Sequence, residues 1–200
     1  TTETIVPDYL PDIARIVDAS GCLFLRSREI TDGKAQVSGT IRMTLLYVAE
    51  DTQGMKSFEY SLPLEEMIEG RALSSGTDCC LEGRLCSCEV RMLNPRKIFT
   101  CVNVELALTP YVPASLSVCS GVKEQEAYKI ETLCEKKEIT VIRAVREKDF
   151  TFADEVMLSG TKEPIRELLR SKCVLRTTDC KEIGNKIVLK GIARLDAVYL

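Results

Sequence analysis

From Gln36 to Tyr47 the chain alternates with a period of two: Val37, Gly39, Ile41, Met43, Leu45 and Tyr47 fall on one side, Gln36, Ser38, Thr40, Arg42 and Thr44 on the other. Alternation of this kind marks a half-buried strand. It predicts a strand over 35–48, preceded by one near 22–30 across an Asp32-Gly33 turn whose residues tolerate positive φ. Further strands are predicted near 56–62, 83–93, 98–109, 127–134, 138–146 and 150–158. Three stretches have a different spacing. Ile13, Ile16 and Val17 follow Pro11; Ile165, Leu168 and Leu169 follow Pro164; Leu64, Met67 and Ile68 follow Pro63. Proline suits a first helical turn, and i, i+3, i+4 is a helical stripe, so each of these predicts a short helix. The expected fold is mainly β, with β-sandwich or barrel-like units of antiparallel hairpins, each carrying one short helix.

The pattern recurs. An offset of 152 residues carries Glu3–Val48 onto Glu155–Leu200 without a gap and preserves Glu3/Glu155, Ile13/Ile165, Leu23/Leu175, Lys34/Lys186, Gly39/Gly191, Arg42/Arg194 and Tyr47/Tyr199. A Gly184-Asn185 turn replaces Asp32-Gly33. Pro110, Pro113 and the Ser/Gly-containing stretch 115–121 suggest a division into a first β unit at 1–112, a linker at 113–125 and a second unit at 126–200. The second copy holds no counterpart of 49–110, which leads us to expect a fragment of a longer repeating protein. The strand at 186–200 is then an apolar edge open to the preceding strands or to a second copy, a route to homo-oligomers.

In the hairpin 83–109, Cys86, Cys88, Val90 and Met92 form one apolar face and Ile98, Val102, Val104, Leu106 and Leu108 the other; all are even-numbered. Opposed residues share a face, so paired numbers must sum to an even value. That argues against a two-residue Pro95-Arg96 loop flanked by Asn94 and Lys97, and for a three- or five-residue loop or a bulge around 93–98, with Cys88 near Val102. The tip Asn94-Pro95-Arg96-Lys97 is expected in solvent and is the candidate partner-binding site.

Composition narrows the chemistry. The formal net charge is −3 and like charges run no further than two or three residues, so nothing points to nucleic acid. Apolar runs of about five residues fall far short of the ~20 that span a bilayer, so membrane insertion is not expected. Histidine is absent, which removes Ser-His-Asp and Cys-His nucleophiles and imidazole bases. Neither G-x-G-x-x-G nor G-x-x-x-x-G-K-[ST] occurs. The ten cysteines include Cys79-Cys80 and Cys86-x-Cys88, spacings unsuited to tetrahedral zinc, and the chain is long enough to build a core without disulfides. They are expected to be reduced and mostly buried, with no metal or other cofactor. Cys134 beside Lys136-Lys137, and Cys180 beside Lys181, are the best candidates for a reactive thiol.

The run Val6-Pro7-Asp8-Tyr9-Leu10-Pro11-Asp12-Ile13, the segment Gly39–Ala49, the Phe58–Pro63 strand and the tetrad Asn94-Pro95-Arg96-Lys97 resemble the SPOCS domain family of endospore-forming bacteria. Phe150–Leu169 joined to 186–200 does so as well. The resemblance implies a SipL-like role in spore-envelope assembly, in the mother-cell cytoplasm at the forespore surface, through contact with other coat or envelope proteins. Coat morphogenetic proteins of this kind carry a LysM region after their SPOCS regions, and none is present here. The leading reading is therefore a non-enzymatic structural or protein-interaction module. A small-molecule or glycan-binding β domain is the alternative, and a thiol-dependent enzyme comes third.

Overall fold

The computed structural model describes residues 1–121, 123, 131, 133, 135–142, 145, 147, 148, 150–158, 160 and 162–200. Regular structure among these residues is all β: β1 (Thr2–Ile5), β2 (Ile13–Thr31), β3 (Lys34–Ala49), β4 (Met55–Glu69), β5 (Asp78–Asn94), β6 (Lys97–Tyr111), β7 (Leu168–Ile183) and β8 (Lys186–Tyr199). Every pairing is antiparallel. The strands form one sheet in the order β2-β3-β4, a second in the order β1-β6-β5, and a two-stranded ribbon, β7-β8.

The first two sheets face each other across a core with three sections. At one end Val6, Ile13, Leu45, Tyr47, Ala49, Phe58 and Ile98 pack together. In the middle Ile41, Met43 and Leu62 meet Leu23, Leu85, Cys88, Val90, Val102 and Val104. Ala35, Leu73 and Cys79, with Ile30 and Leu108, fill the far end. On one side β2 and β5 cross closely. A Cβ on Gly21 would lie 2.7 Å from Leu85 Cδ2, and one on Gly83 2.7 Å from Leu23 Cδ2, so each glycine makes room for a leucine of the other strand.

None of the three expected helices forms. The residues after Pro11 lie in β2, where register shifts between Ile13 and Arg15 and between Ile16 and Asp18 each insert one extra residue. Ile13, Ile16 and Ala19 consequently oppose Ala49, Tyr47 and Leu45 on the inner face. Two bulges thus turn a period of two into a period of three, and i, i+3 spacing imitates a helix. After Pro63 the chain continues as β4, an edge strand, where a missing N–H is tolerated. After Pro164, Leu168 opposes Tyr199 and Leu169 is the extra residue of a bulge.

The strands expected over 22–30, 35–48, 56–62, 83–93 and 98–109 are present and extend beyond those limits. Residues 138–142 and 150–158 are not strands. Most of 127–134 and part of 138–146 lie outside the described residues. The counterpart of β1 is 154–157, which pairs with no strand among the described residues.

The repeat holds to the residue in the hairpins. Leu25↔Gly39 and Thr31↔Lys34 in β2–β3 become Thr177↔Gly191 and Ile183↔Lys186 in β7–β8. The bulges at Val17 and Arg26 recur at Leu169 and Thr178. Gly39 and Gly191 are explained by the second of these bulges. A Cβ would sit 2.7 Å from the Phe24 carbonyl oxygen in one copy and 2.7 Å from that of Arg176 in the other. The turns differ in detail: positive φ falls on the second turn residue, Gly33 (80°), in one and on the first, Gly184 (61°), in the other.

Candidate interaction site

The β5–β6 turn corrects one part of the register expectation, the loop length, and bears out the bulge near 93. Asn94 does pair with Lys97 across a two-residue Pro95-Arg96 loop, the arrangement that parity argued against. A bulge at Leu93 restores even sums immediately, giving Met92↔Ile98 and the expected Cys88↔Val102. A second bulge at Cys86 shifts the register again, giving Leu85↔Val104, and puts Cys86 in solvent. The bulge at Leu93, one of the alternatives that parity left open, therefore carries the odd residue, while the loop keeps the two-residue length that parity argued against.

The turn itself is shaped by Asn94, whose Oδ1 accepts a hydrogen bond from the Arg96 N–H at 2.9 Å. Asn94 and Pro95 are exposed, whereas Arg96 and Lys97 are half-buried rather than free in solvent. Arg96 reaches into the loop 6–12. Its Nη1 donates to the Leu10 carbonyl at 2.7 Å and to Asp12 Oδ1 at 2.9 Å; its Nη2 donates to the Val6 carbonyl at 2.9 Å and to Asp8 Oδ1 at 3.1 Å. The planar guanidinium suits this task because it offers several donors in a fixed fork. Main-chain bonds complete the junction: Val6 N–H to the Arg96 carbonyl and Ile13 N–H to the Pro95 carbonyl, both 2.9 Å. Lys97 pairs with Glu3.

Beneath the clamp Tyr47 is fully buried and donates its hydroxyl to the Pro11 carbonyl at 3.3 Å. Burial pushes its phenol above the ordinary value, with the nearby Arg96 charge pulling the other way. The two motifs Val6–Ile13 and Asn94–Lys97 thus meet in space and hold one another. What the junction displays outward is Ile5, 69% exposed, and Tyr9, 84% exposed. Nothing in the sequence links segments so far apart; only their shared resemblance to one family hinted at a connection.

The thiols do not follow expectation. Among the described cysteines only Cys79 is buried; Cys80, Cys88 and Cys101 are half-buried, and Cys22, Cys86, Cys119, Cys173 and Cys180 are exposed. The two bulged or ribbon-borne strands account for Cys86, Cys173 and Cys180, which lack a covering sheet. Burial raises the pKa of Cys79 and Cys88, the opposite of activation. Lys181, the neighbour of Cys180, is engaged by Asp179 at 3.1 Å. Cys134 lies outside the described residues.

Residues 12–93 match the family model described as SipL, SPOCS domain. This segment is a SPOCS domain. It runs from the start of β2 to the bulge at Leu93, and the clamp joins its two ends, since Ile13 and Pro95 are directly hydrogen-bonded. No curated protein and no solved structure matches the chain. No helix among the described residues is long and apolar enough to cross a membrane.

Proposed function

We propose that this chain is a non-enzymatic interaction module of spore-envelope assembly, acting in the mother-cell cytoplasm at the forespore surface through contacts with other coat or envelope proteins. The observation that carries this reading is the β7–β8 ribbon. It repeats the β2–β3 hairpin but leaves Leu175, Leu189, Ile192 and Leu195 between 51% and 63% exposed. Large exposed apolar surface on a folded chain is characteristic of protein contact. Among the described residues the edge of β8 away from β7, which corresponds to the edge of β3 that β4 occupies, has no partner strand and offers main-chain donors and acceptors to another strand. Tyr9, with the exposed Asn94 and Pro95 of the neighbouring tip, supplies a second contact surface.

The test is a fluorescent fusion followed through sporulation, with co-purification from the same cells. A shell around the forespore, together with recovery of coat proteins, is the expected result. Uniform cytoplasmic signal and no coat protein in the eluate would refute the proposal.

A further inference from the structure

On the outer face of the β2-β3-β4 sheet one patch is dry. Alternation turns Leu46 and Val48 away from the core that holds Leu45 and Tyr47, yet they are only 4% and 9% exposed. β7 packs against β3 and β4, and two ion pairs mark the place. Asp18, which opposes Leu46 on β2, pairs with Arg170. Lys56, next to the Ser57 that opposes Leu46 on β4, pairs with Glu167 at 2.9 Å. Leu169, between Glu167 and Arg170 in sequence, is the extra residue of the β7 bulge and is 3% exposed. Val17, the extra residue of the equivalent bulge in β2, is 43% exposed.

The repeat shows what this seat selects. At the offset of 152, Glu167 corresponds to Arg15 and Arg170 to Asp18, so both charges that β7 brings to the seat have the opposite sign in the first copy. With the first copy's hairpin in place of the second, Lys56 would face an arginine and Asp18 an aspartate, and a smaller valine would replace Leu169. Both attractions would become repulsions. The four charged side chains are between 29% and 49% exposed, so their attraction adds little to holding the ribbon. Like charges pressed together are the larger effect, and they decide which hairpin can sit there.

We infer that the outer face around Leu46 is a docking site for a repeat hairpin, and that the charges at positions 15/167 and 18/170 admit a hairpin of the second kind and reject one of the first. The partner this face fits is therefore a non-identical copy of the same hairpin. Such a contact orders unlike units along a tandem instead of stacking like ones. It concerns pairing between repeats and stands or falls independently of the coat role proposed above.

The test uses the full chain. A zero-length carbodiimide joins an amine to a carboxylate only when the two touch, and it should couple Lys56 to Glu167. Absence of that linkage from the mass spectrum of a digest would overturn the inference. The variant E167R/R170D gives the second hairpin the charges of the first. Its ratio of docked to free ribbon should fall at least about a hundredfold, read as a larger radius of gyration in small-angle scattering. Adding K56E/D18R restores opposite signs at both pairs without any of the four original residues, and should bring back the parent's dimensions. That recovery separates recognition from a folding defect. An E167R/R170D variant as compact as the parent, or a fourfold variant as expanded as the double, would overturn the inference.

Discussion

Met43 and Leu195 occupy equivalent positions 152 residues apart, on strands with the same register and the same bulges. Met43 is fully buried; Leu195 is 51% exposed. Val37 and Leu189 repeat the contrast at 0% and 61%. The difference lies in what covers them. β2–β3 has β4 along its edge and β5–β6 across its face, while β7–β8 touches the first unit mainly at its base. There Leu169 is buried, Arg170 pairs with Asp18, and Lys56 pairs with Glu167 at 2.9 Å. The shape of a hairpin is thus encoded locally, in a bulge, the glycine opposite it and a two-residue turn. Its burial depends on residues far away in the sequence.

The sharpest way to break this comparison is to empty the two equivalent positions. Met43→Ala should cost about 2–5 kcal/mol in urea unfolding, the usual range for a truncated core side chain. Leu195→Ala should stay within about 0.5 kcal/mol, as for most surface substitutions. Equal losses would mean that the ribbon is covered in solution.

Arg96 tests the junction that the ribbon lacks. Arg96→Ala removes four charge-assisted hydrogen bonds, and with the side chain 31% exposed the loss should be about 2 kcal/mol. Lys97→Ala, which breaks a solvated ion pair, should change stability by less than about 1 kcal/mol. Thermal unfolding of the two variants separates these effects, and similar small shifts would mean that the clamp is ornamental.

The glycines sharpen the comparison at a smaller scale. Gly39→Ala sets a Cβ against a main-chain carbonyl within the covered sheet and should cost about 1–2 kcal/mol globally. Gly191→Ala meets the same obstacle, but its effect should be confined to faster amide exchange near Arg176 and Thr177.

Much of this architecture was legible in the sequence. Alternation located β3, β5 and β6 over most of their length, but β2 and β4 only over 22–30 and 56–62, their remaining halves being read as helices. The stretch after Pro63 was misread although it pairs with β3 without a register shift; the misreadings along β2 and β5 have a different cause. At Ala14, Val17, Cys86 and Leu93 a single inserted residue changes which side chains point inward, and a bulge leaves no distinctive residue type behind. The clamp was half legible: Asn94–Lys97 stood out, but its function as an anchor for Val6–Asp12 depends on a contact between residues more than eighty positions apart.

The smallest expected effect is on pH dependence. Burial raises the pKa of Tyr47 and Tyr60 above 10.0 and those of Cys79 and Cys88 above 9.0. An acid whose folded-state pKa is raised contributes its full stability below the unfolded value, and loses it as pH climbs through the folded value. Unfolding midpoints should therefore be flat near neutrality and decline from about pH 9 upward. Tyr47→Phe should flatten the part of that decline above about pH 10; a profile identical to the parent's would remove Tyr47 as a contributor.

The Arg96 clamp also sets an order of events in time. Its contacts join residues 84 to 90 positions apart, so the chain must close a long loop before any of them can form. Contacts of that separation mature late, after the local hairpins have paired. Arg96 therefore acts as a latch on the way out rather than a guide on the way in: its loss should speed unfolding and leave the folding rate nearly untouched.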